Sequence, residues 1–493
     1  MAASDNSPEL TSTVVNWTLY DDQSGRIHPH EPLERYTLGG FHPVALGDVF
    51  KDGRYVVRHK LGYGGFSTVW LASDEQDRES THRYVAIKIK SSSSSNMGID
   101  ADPELVSLIK LEERYFQGRE DKPRPFVQLL DRFIHEGPNG RHNCLVTELL
   151  GPSLASVCSL YAEIGQLLRP ETILRASNQL LHGVDFIHQA GLAHGGNRIP
   201  LHFQPVIELT DMTHSDISAA NFAFTCKSLV KDEDDDLLDL LSEVYVAKPW
   251  PDKTLPTPHL PKQLVQTAKW RLWEDETEEE IRLVDWGSAF AVSETVSLES
   301  MAQPVDLRAP ETFFIGKFDY RHDIWRTGCV MYMLFYQQNP FWVYSADSHF
   351  YLSRMIRELG PLPESWLPRL TELRKESEYA EADDKQYDAV SVDSELICDT
   401  FEPRREAIIS EFSRNDPKYE PDEHTEYDFE ALKSLRRPML ALLPYEPKDR
   451  AILKDLLEMI EWIDHRREDD GGDVHKEGED EDGEQDERES GRS

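Results

Sequence analysis

The sequence predicts an α+β fold in two lobes: a small β-rich lobe with one helix to about residue 148, then a large, mainly helical lobe to about residue 465. Three observations predict it. From Tyr55, the stretch YVVRHKLGYGGFSTVWLAS places apolar alternations on both sides of a glycine turn, the pattern of strand, turn, strand. Val85-Ala86-Ile87-Lys88 reads as another strand, and a helical stretch, PELVSLIKLEERYF, follows from Pro103. Further on, RLVDWGSAF (282–290) is a short strand ending in a turn, set among helical patterns.

Composition bounds the class of protein. At 493 residues and 39% hydrophobic content, the chain can form two or three domain-sized units around a large core. A formal net charge of -38 argues against nucleic acid or an anionic membrane as a direct partner. It favours a basic partner or a solvated acidic surface. Residues 466–493 are Asp, Glu, Gly and Arg with almost nothing apolar, and read as a disordered acidic tail. Residues 1–48 are polar and read as an extension with little core of its own, followed by the small lobe over 49–148 and the large lobe over 149–465. Five scattered cysteines without metal or redox spacing predict reduced core thiols in the cytosol or nucleus. MAASDNSPEL is no signal peptide, and no run approaches the ~18 apolar residues of a membrane span. The expectation is a soluble monomer.

The first element with chemistry is the glycine turn. Gly62, Gly64 and Gly65 let backbone amides approach a triphosphate without a side chain in the way. Lys88 ends a strand of aliphatic residues, and a half-buried lysine needs an anion beside it. Phosphates and a helix glutamate would supply one. Glu104 is the chosen partner, with Glu112 and Glu113 as later alternatives. Asp216 and Asn221 stand five residues apart in THSDISAANFAF (213–224). That spacing suits an aspartate taking a hydroxyl proton and an asparagine oxygen holding magnesium on ATP. Asp285, in Asp285-Trp286-Gly287, would chelate the metal between the phosphates.

These pieces in this order resemble the protein kinases, and within them the SR-protein kinase family and its fungal relatives. The resemblance covers about residues 31 to 465 and implies a two-lobed protein kinase fold with ATP and Mg2+ between the lobes. LGYGGFSTVWLA is similar to the family's glycine loop, so Leu61, Gly62, Tyr63, Gly64, Gly65, Phe66, Ser67, Thr68 and Val69 are expected at the nucleotide, together with Ala86 and Lys88. LVTELLGPSL (145–154) resembles the hinge, where Glu148 and Leu150 would bond adenine through their backbones. Ala309-Pro310-Glu311, the helix start Asp323-Ile-Trp-Arg-Thr-Gly328 and Arg450, expected to pair with Glu311, resemble kinase scaffold elements. LGPLPESW (359–366) resembles a segment after the main helical core. By this resemblance Asp216 is the base, Lys88 with Glu104 grips phosphates, and Asn221 and Asp285 hold the metal. The substrate is a serine, in an Arg/Ser-rich protein.

The chain departs from the family pattern at three places. Ser215, not arginine, precedes Asp216, which predicts activity independent of activation-loop phosphorylation. Ser218 stands where protein kinases usually have lysine, which removes a charge from the transferring phosphoryl group. Most unexpectedly, Ala193-His194-Gly195 already opens a catalytic loop, yet residues 196–215 intervene before Asp216. Without them the chain reads GLAHGDISAANFAF. Two readings stand: a short intron or gene-model error translated in frame, or a true surface loop with His214 as the loop histidine. A second insertion, about 227–280, is acidic and then proline-rich, and reads as a solvated excursion. Residues 367–430 are polar and acidic, with helices expected on the large lobe. A pseudokinase scaffold and a small-molecule phosphotransferase of kinase-like fold are the competing functions.

Overall fold

The structure is a computed structural model, and it describes residues 19–22, 25, 27, 30–77, 83–118, 123–163, 168–195, 217–226, 237, 240–271, 279–297, 308–343, 347–377 and 435–459. The segments 196–215, 378–434 and 466–493, discussed above, lie outside the described residues, as does Asp216.

The small lobe is an antiparallel sheet of six strands: β1 (Val49–Phe50), β2 (Tyr55–Tyr63), β3 (Ser67–Asp74), β4 (Tyr84–Lys90), β5 (Leu129–Gly137) and β6 (Gly140–Glu148), in the order β1-β2-β3-β4-β6-β5. Helix α1 (Pro103–Gly118) lies between β4 and β5 in sequence. Period-two burial along β4 places Val85, Ile87 and Ile89 in a core with Val57, Trp70, Ala72, Cys144 and Val146. The intervening Ala86 and Lys88 take the opposite face. The β2–β3 register shifts around Arg58 and again around Leu61, so β2 is bulged at the entry to the glycine turn.

The large lobe begins with α2 (Leu154–Glu163) and α3 (Pro170–Gln189), then β7 (Leu192–Ala193), β8 (Phe222–Phe224), β9 (Val246–Ala247), β10 (Leu264–Val265), β11 (Ile281–Leu283), β12 (Phe290–Ala291) and β13 (Val296–Ser297). It continues through α4 (Pro310–Phe314), β14 (Lys317–Phe318), α5 (Arg321–Tyr336), α6 (Ser348–Leu359), α7 (Leu367–Glu376) and α8 (Arg436–Ala441). The short strands pair as β8 with β11, β7 with β12, β9 with β10 and β13 with β14. Helix α5 is buried on nearly every side, the mark of a core helix, and its Trp325, Val330 and Met331 share one core with Leu180, Val184 and Ile187 of α3. Cys144, Cys158, Cys226 and Cys329 are buried as thiols, and burial pushes Cys158 up to about 12. None of the described helices is long and apolar enough to cross a membrane.

Two segments expected to be peripheral pack together. Tyr20, Ile27, Leu33, Tyr36 and Phe41, from the N-terminal extension, form one apolar cluster with Ala247, Leu260 and Leu264 from the second insertion. Tyr20 donates to the Pro261 carbonyl at 2.7 Å. The described part of the insertion also joins the sheet: Val265 enters its core, the Ala268 amide donates to Lys60 O at 2.8 Å, and His59 Nε2 lies 3.2 Å from Ser242 O. Over these residues the solvated excursion is corrected to a packed layer. Each segment carries only scattered apolar residues, half of a core whose other half lies some 200 positions away. That complementarity leaves no local periodicity.

Candidate active site

Pairing across β3–β4 and β4–β6 places Lys88 opposite Val69 and Leu145. At the end of β2 the chain turns through Gly64, Gly65 and Phe66, closed by the Gly64 amide on the Ser67 carbonyl at 2.8 Å and by the Ser91 amide on Phe66 O at 2.8 Å. A Cβ built on Gly62 would meet no protein atom within 4 Å, so this glycine borders open space. That is the opening a phosphate chain requires.

Lys88 sits between two carboxylates: its Nζ is 2.7 Å from Glu104 Oε1 and 2.7 Å from Asp285 Oδ1. Burial lowers its affinity for a proton, but Asp285 and then Glu104 outweigh that and hold the ammonium above its ordinary range. Of the three glutamates considered, Glu104 is the one brought to Lys88; Glu112 instead pairs with Arg124 at 2.5 Å, and Glu113 is exposed. Asp285 has φ +64°, a left-handed conformation that aspartate tolerates better than most residues. The Val284 amide donates to the Asn221 carbonyl at 2.9 Å, which brings the β8 side of the site, with Asn221, against the turn that carries Asp285. A carboxylate and a side-chain amide oxygen are hard donors of the kind magnesium takes.

The opening of the catalytic loop is fixed from below. His194 and Gly195 donate their amides to Asp323 of α5 at 2.8 and 3.1 Å. His194 Nε2 lies 2.9 Å from Val284 O, and its ring meets Trp286 edge-on at 4.9 Å between centroids. Trp286 is fully buried and donates Nε1 to Leu283 O at 3.2 Å. Gly195 has φ +80°, and a Cβ there would come within 2.7 Å of the Phe290 ring. Past the undescribed stretch, Arg326 Nε donates to Ile217 O at 3.0 Å. Ser218 and Asn221 are both buried, and the Asn221 amide closes a turn on Ser218 O at 2.9 Å.

At the hinge, the Glu148 amide donates to Gln128 O at 3.0 Å and its carboxylate accepts the Gln128 amide at 2.8 Å. Any adenine contact from Glu148 would therefore use its carbonyl. Leu150 packs partly buried against the large core. Below the site, Arg450 grips Glu311 through two hydrogen bonds, 2.9 and 2.5 Å, both side chains buried.

Sequence reading missed two neighbours of the site. One is Lys90, whose Nζ is 2.5 Å from Asp102 Oδ1 and 3.2 Å from Glu104 Oε2. The signal was available: Asp102-Pro103 is an N-cap followed by a first-turn proline. The other is Lys60, buried beside Leu61 and paired with Glu31 of the extension.

No family model matches the chain. It is similar to the "Serine/threonine-protein kinase SRPK" of Physarum polycephalum, 26% identical over 435 residues that cover 87% of this chain and 90% of that protein. It is also similar to "Protein kinase dsk1" of Schizosaccharomyces pombe, 36% identical over 173 residues (34% of this chain, 30% of that protein). "SRSF protein kinase 3" of Homo sapiens is 39% identical over 160 residues (32% and 26%). The matched stretch thus spans less than a third of the fission yeast and human relatives, and nearly all of the Physarum one. By these likenesses the chain is similar to SR-protein kinases, serine/threonine kinases by the names they carry.

Proposed function

We propose that the protein transfers the γ-phosphoryl group of ATP to serine hydroxyls of basic, Arg/Ser-rich proteins, with nucleotide held in the cleft between the two lobes of a protein kinase fold. The observation that carries this is Lys88 set between Glu104 and Asp285 at 2.7 Å each, with Asn221 joined to the neighbouring turn. A lysine so charged and so braced is ready to exchange Asp285 for phosphate oxygens while Glu104 keeps it aimed. The glycine turn covers the phosphates, and Glu148 and Leu150 take the adenine.

Asn221 and Asp285 would hold magnesium. When bound, the metal neutralises charge on the phosphates. Asp216, five residues before Asn221, orients the serine and accepts its proton as the serine Oγ–phosphorus bond forms. The bond from phosphorus to the β–γ bridging oxygen breaks, and ADP leaves with that oxygen. The acidic balance of the chain, -38 in all, favours substrates rich in arginine. Buried, reduced thiols suit the cytosol or nucleus.

The test is transfer of labelled phosphate from ATP to an Arg-Ser repeat peptide, with Asp285→Ala as control. Label on serine that disappears in the control supports the reading. Label that survives Asp285→Ala, or that goes to a sugar or aminoglycoside and to no protein, sinks it.

A further inference from the structure

Lys88 has a twin two residues on, with its side chain on the same face of β4. Lys90 is 7% exposed, and the groups around its Nζ are Asp102 Oδ1 at 2.5 Å and Glu104 Oε2 at 3.2 Å. The second contact is one of charge, without hydrogen-bond alignment. Asp102 is itself committed three more times. It caps α1 by accepting the amides of Glu104 and Leu105 at 3.1 and 3.4 Å, and takes Asn143 Nδ2 at 3.0 Å. Asn143 is fixed in turn by its amide on Ser95 Oγ at 2.9 Å, and the Lys90 carbonyl lies 2.8 Å from His142 Nδ1. Two lysines of one strand therefore share Glu104, one through each carboxylate oxygen.

We infer that Lys90 is a positioning residue that holds the first turn of α1, and with it Glu104, against β4 whatever Lys88 is bonded to. This rests on the kinase reading and deepens it. Glu104 lies at the second position of its helix, where the frayed end of a helix has the least intrinsic order. One bond to Lys88 would have to fix it, and Lys88 changes partners when phosphates arrive. Lys90 has no such second duty, because its surroundings are closed. The device also fits a chain in which neither Gly195 nor Ser215 can receive an activation-loop phosphate. With no arginine there to couple a phosphate to the site, the helix must be registered from inside.

The experiment compares wild type with Lys90→Met and Lys90→Arg by steady-state transfer to an Arg-Ser peptide and by amide hydrogen exchange across 100–110. Lys90→Met is expected to lower kcat about 10–100-fold with KM for ATP changed less than about 3-fold, since the interaction acts through Glu104 on the transition state. Exchange at Glu104 and Leu105 should rise while the β3–β4 ladder stays protected. Lys90→Arg, which can reach both carboxylates, should recover activity to within about 3-fold. Unchanged exchange at those two amides in Lys90→Met overturns the inference, as does a loss of protection spread over the whole sheet. A wild type that transfers no phosphate overturns the kinase reading alone, because the exchange comparison is read without turnover.

Discussion

Asp323 binds the backbone of His194, accepting its amide at 2.8 Å and that of Gly195 at 3.1 Å with the other oxygen. Three positions along the same helix, Arg326 holds Ile217 O at 3.0 Å. Positions three apart on a helix lie on one face, about 5–6 Å apart. Gly195 and Ile217, on either side of the inserted segment, are thus both anchored to the same face of α5. His194 is bonded to Val284 O and packed on Trp286, which supports the reading of it as the loop histidine. Removing residues 196–215 should therefore give a folded protein with higher transfer to an Arg-Ser peptide than the full chain. Equal activity would make the segment a tolerated loop, and a deletion that fails to fold would make the segment part of the folded molecule. Sequencing transcripts across the junction gives an independent reading.

Ser218 is buried, and its carbonyl accepts the Asn221 amide at 2.9 Å. In the proposed kinase reading, a lysine at this position would face the transferring phosphoryl group. One preorganised charge at such a place is worth about 3 kcal/mol of transition-state stabilisation. Ser218→Lys is expected to raise kcat about 10–100-fold with little change in KM for ATP. A kcat that falls would show that the pocket around Ser218 has no path for a longer side chain.

Lys60 is 1% exposed, rests over Tyr63 and Trp70, and takes its counter-charge from Glu31, which also accepts the Tyr36 hydroxyl. Glu31→Gln keeps an acceptor for Tyr36 and leaves the ammonium buried without a carboxylate, which costs about 3–5 kcal/mol. Glu31→Gln combined with Lys60→Met should recover most of that loss. Urea unfolding of the two variants decides it: equal destabilisation would mean that the charge pair contributes nothing by itself.

His42, at the end of the N-terminal extension, is the histidine moved furthest among four that burial holds neutral, with His59, His135 and His142. Its ring is buried against Phe50, His135 and His142, and burial, then the two neighbouring histidines, pull it down to about 3 from an ordinary 6.5. A histidine held neutral in the fold takes up a proton on unfolding below pH 6.5. Its contribution is complete above that pH and is lost as pH falls toward 3. Between pH 6.5 and 5 the loss is about 2 kcal/mol. His42→Phe should flatten the slope of stability against pH over that interval by about this amount. An unchanged slope would place the titration elsewhere.

The cluster of Lys88, Glu104 and Asp285 was legible because its signals are local. A lysine among strand aliphatics (in the structure an interior residue of β4, which runs on to Lys90), a glycine turn, and short motifs around Asn221 and Asp285 each carry their signal within a few residues. Glu104 could be chosen because it opens the helix that follows Lys88. Lys90 was overlooked because it follows Lys88 in an ordinary strand alternation, and its role depends on Asp102, Asn143 and His142 arriving from two other elements. The packed layer of Tyr36, Phe41, Leu260 and Leu264 was illegible for a related reason. Its apolar residues are too sparse in either segment to give a period. The register of the loop was half legible: deletion of 196–215 restored the motif in letters, and only the structure shows that both ends are held by α5, through Asp323 and Arg326.

The layer over β2 also bears on the order of synthesis. The strands of the small lobe leave the ribosome by residue 148, but Lys60 O and His59 find partners only when Ala268 and Ser242 have been made. At about 5–20 residues per second, the nascent sheet waits on the order of ten seconds with that edge unfilled. The β2 edge is thus completed by residues made about 200 positions after it, so the finished sheet depends on a part of the chain synthesised well after its strands.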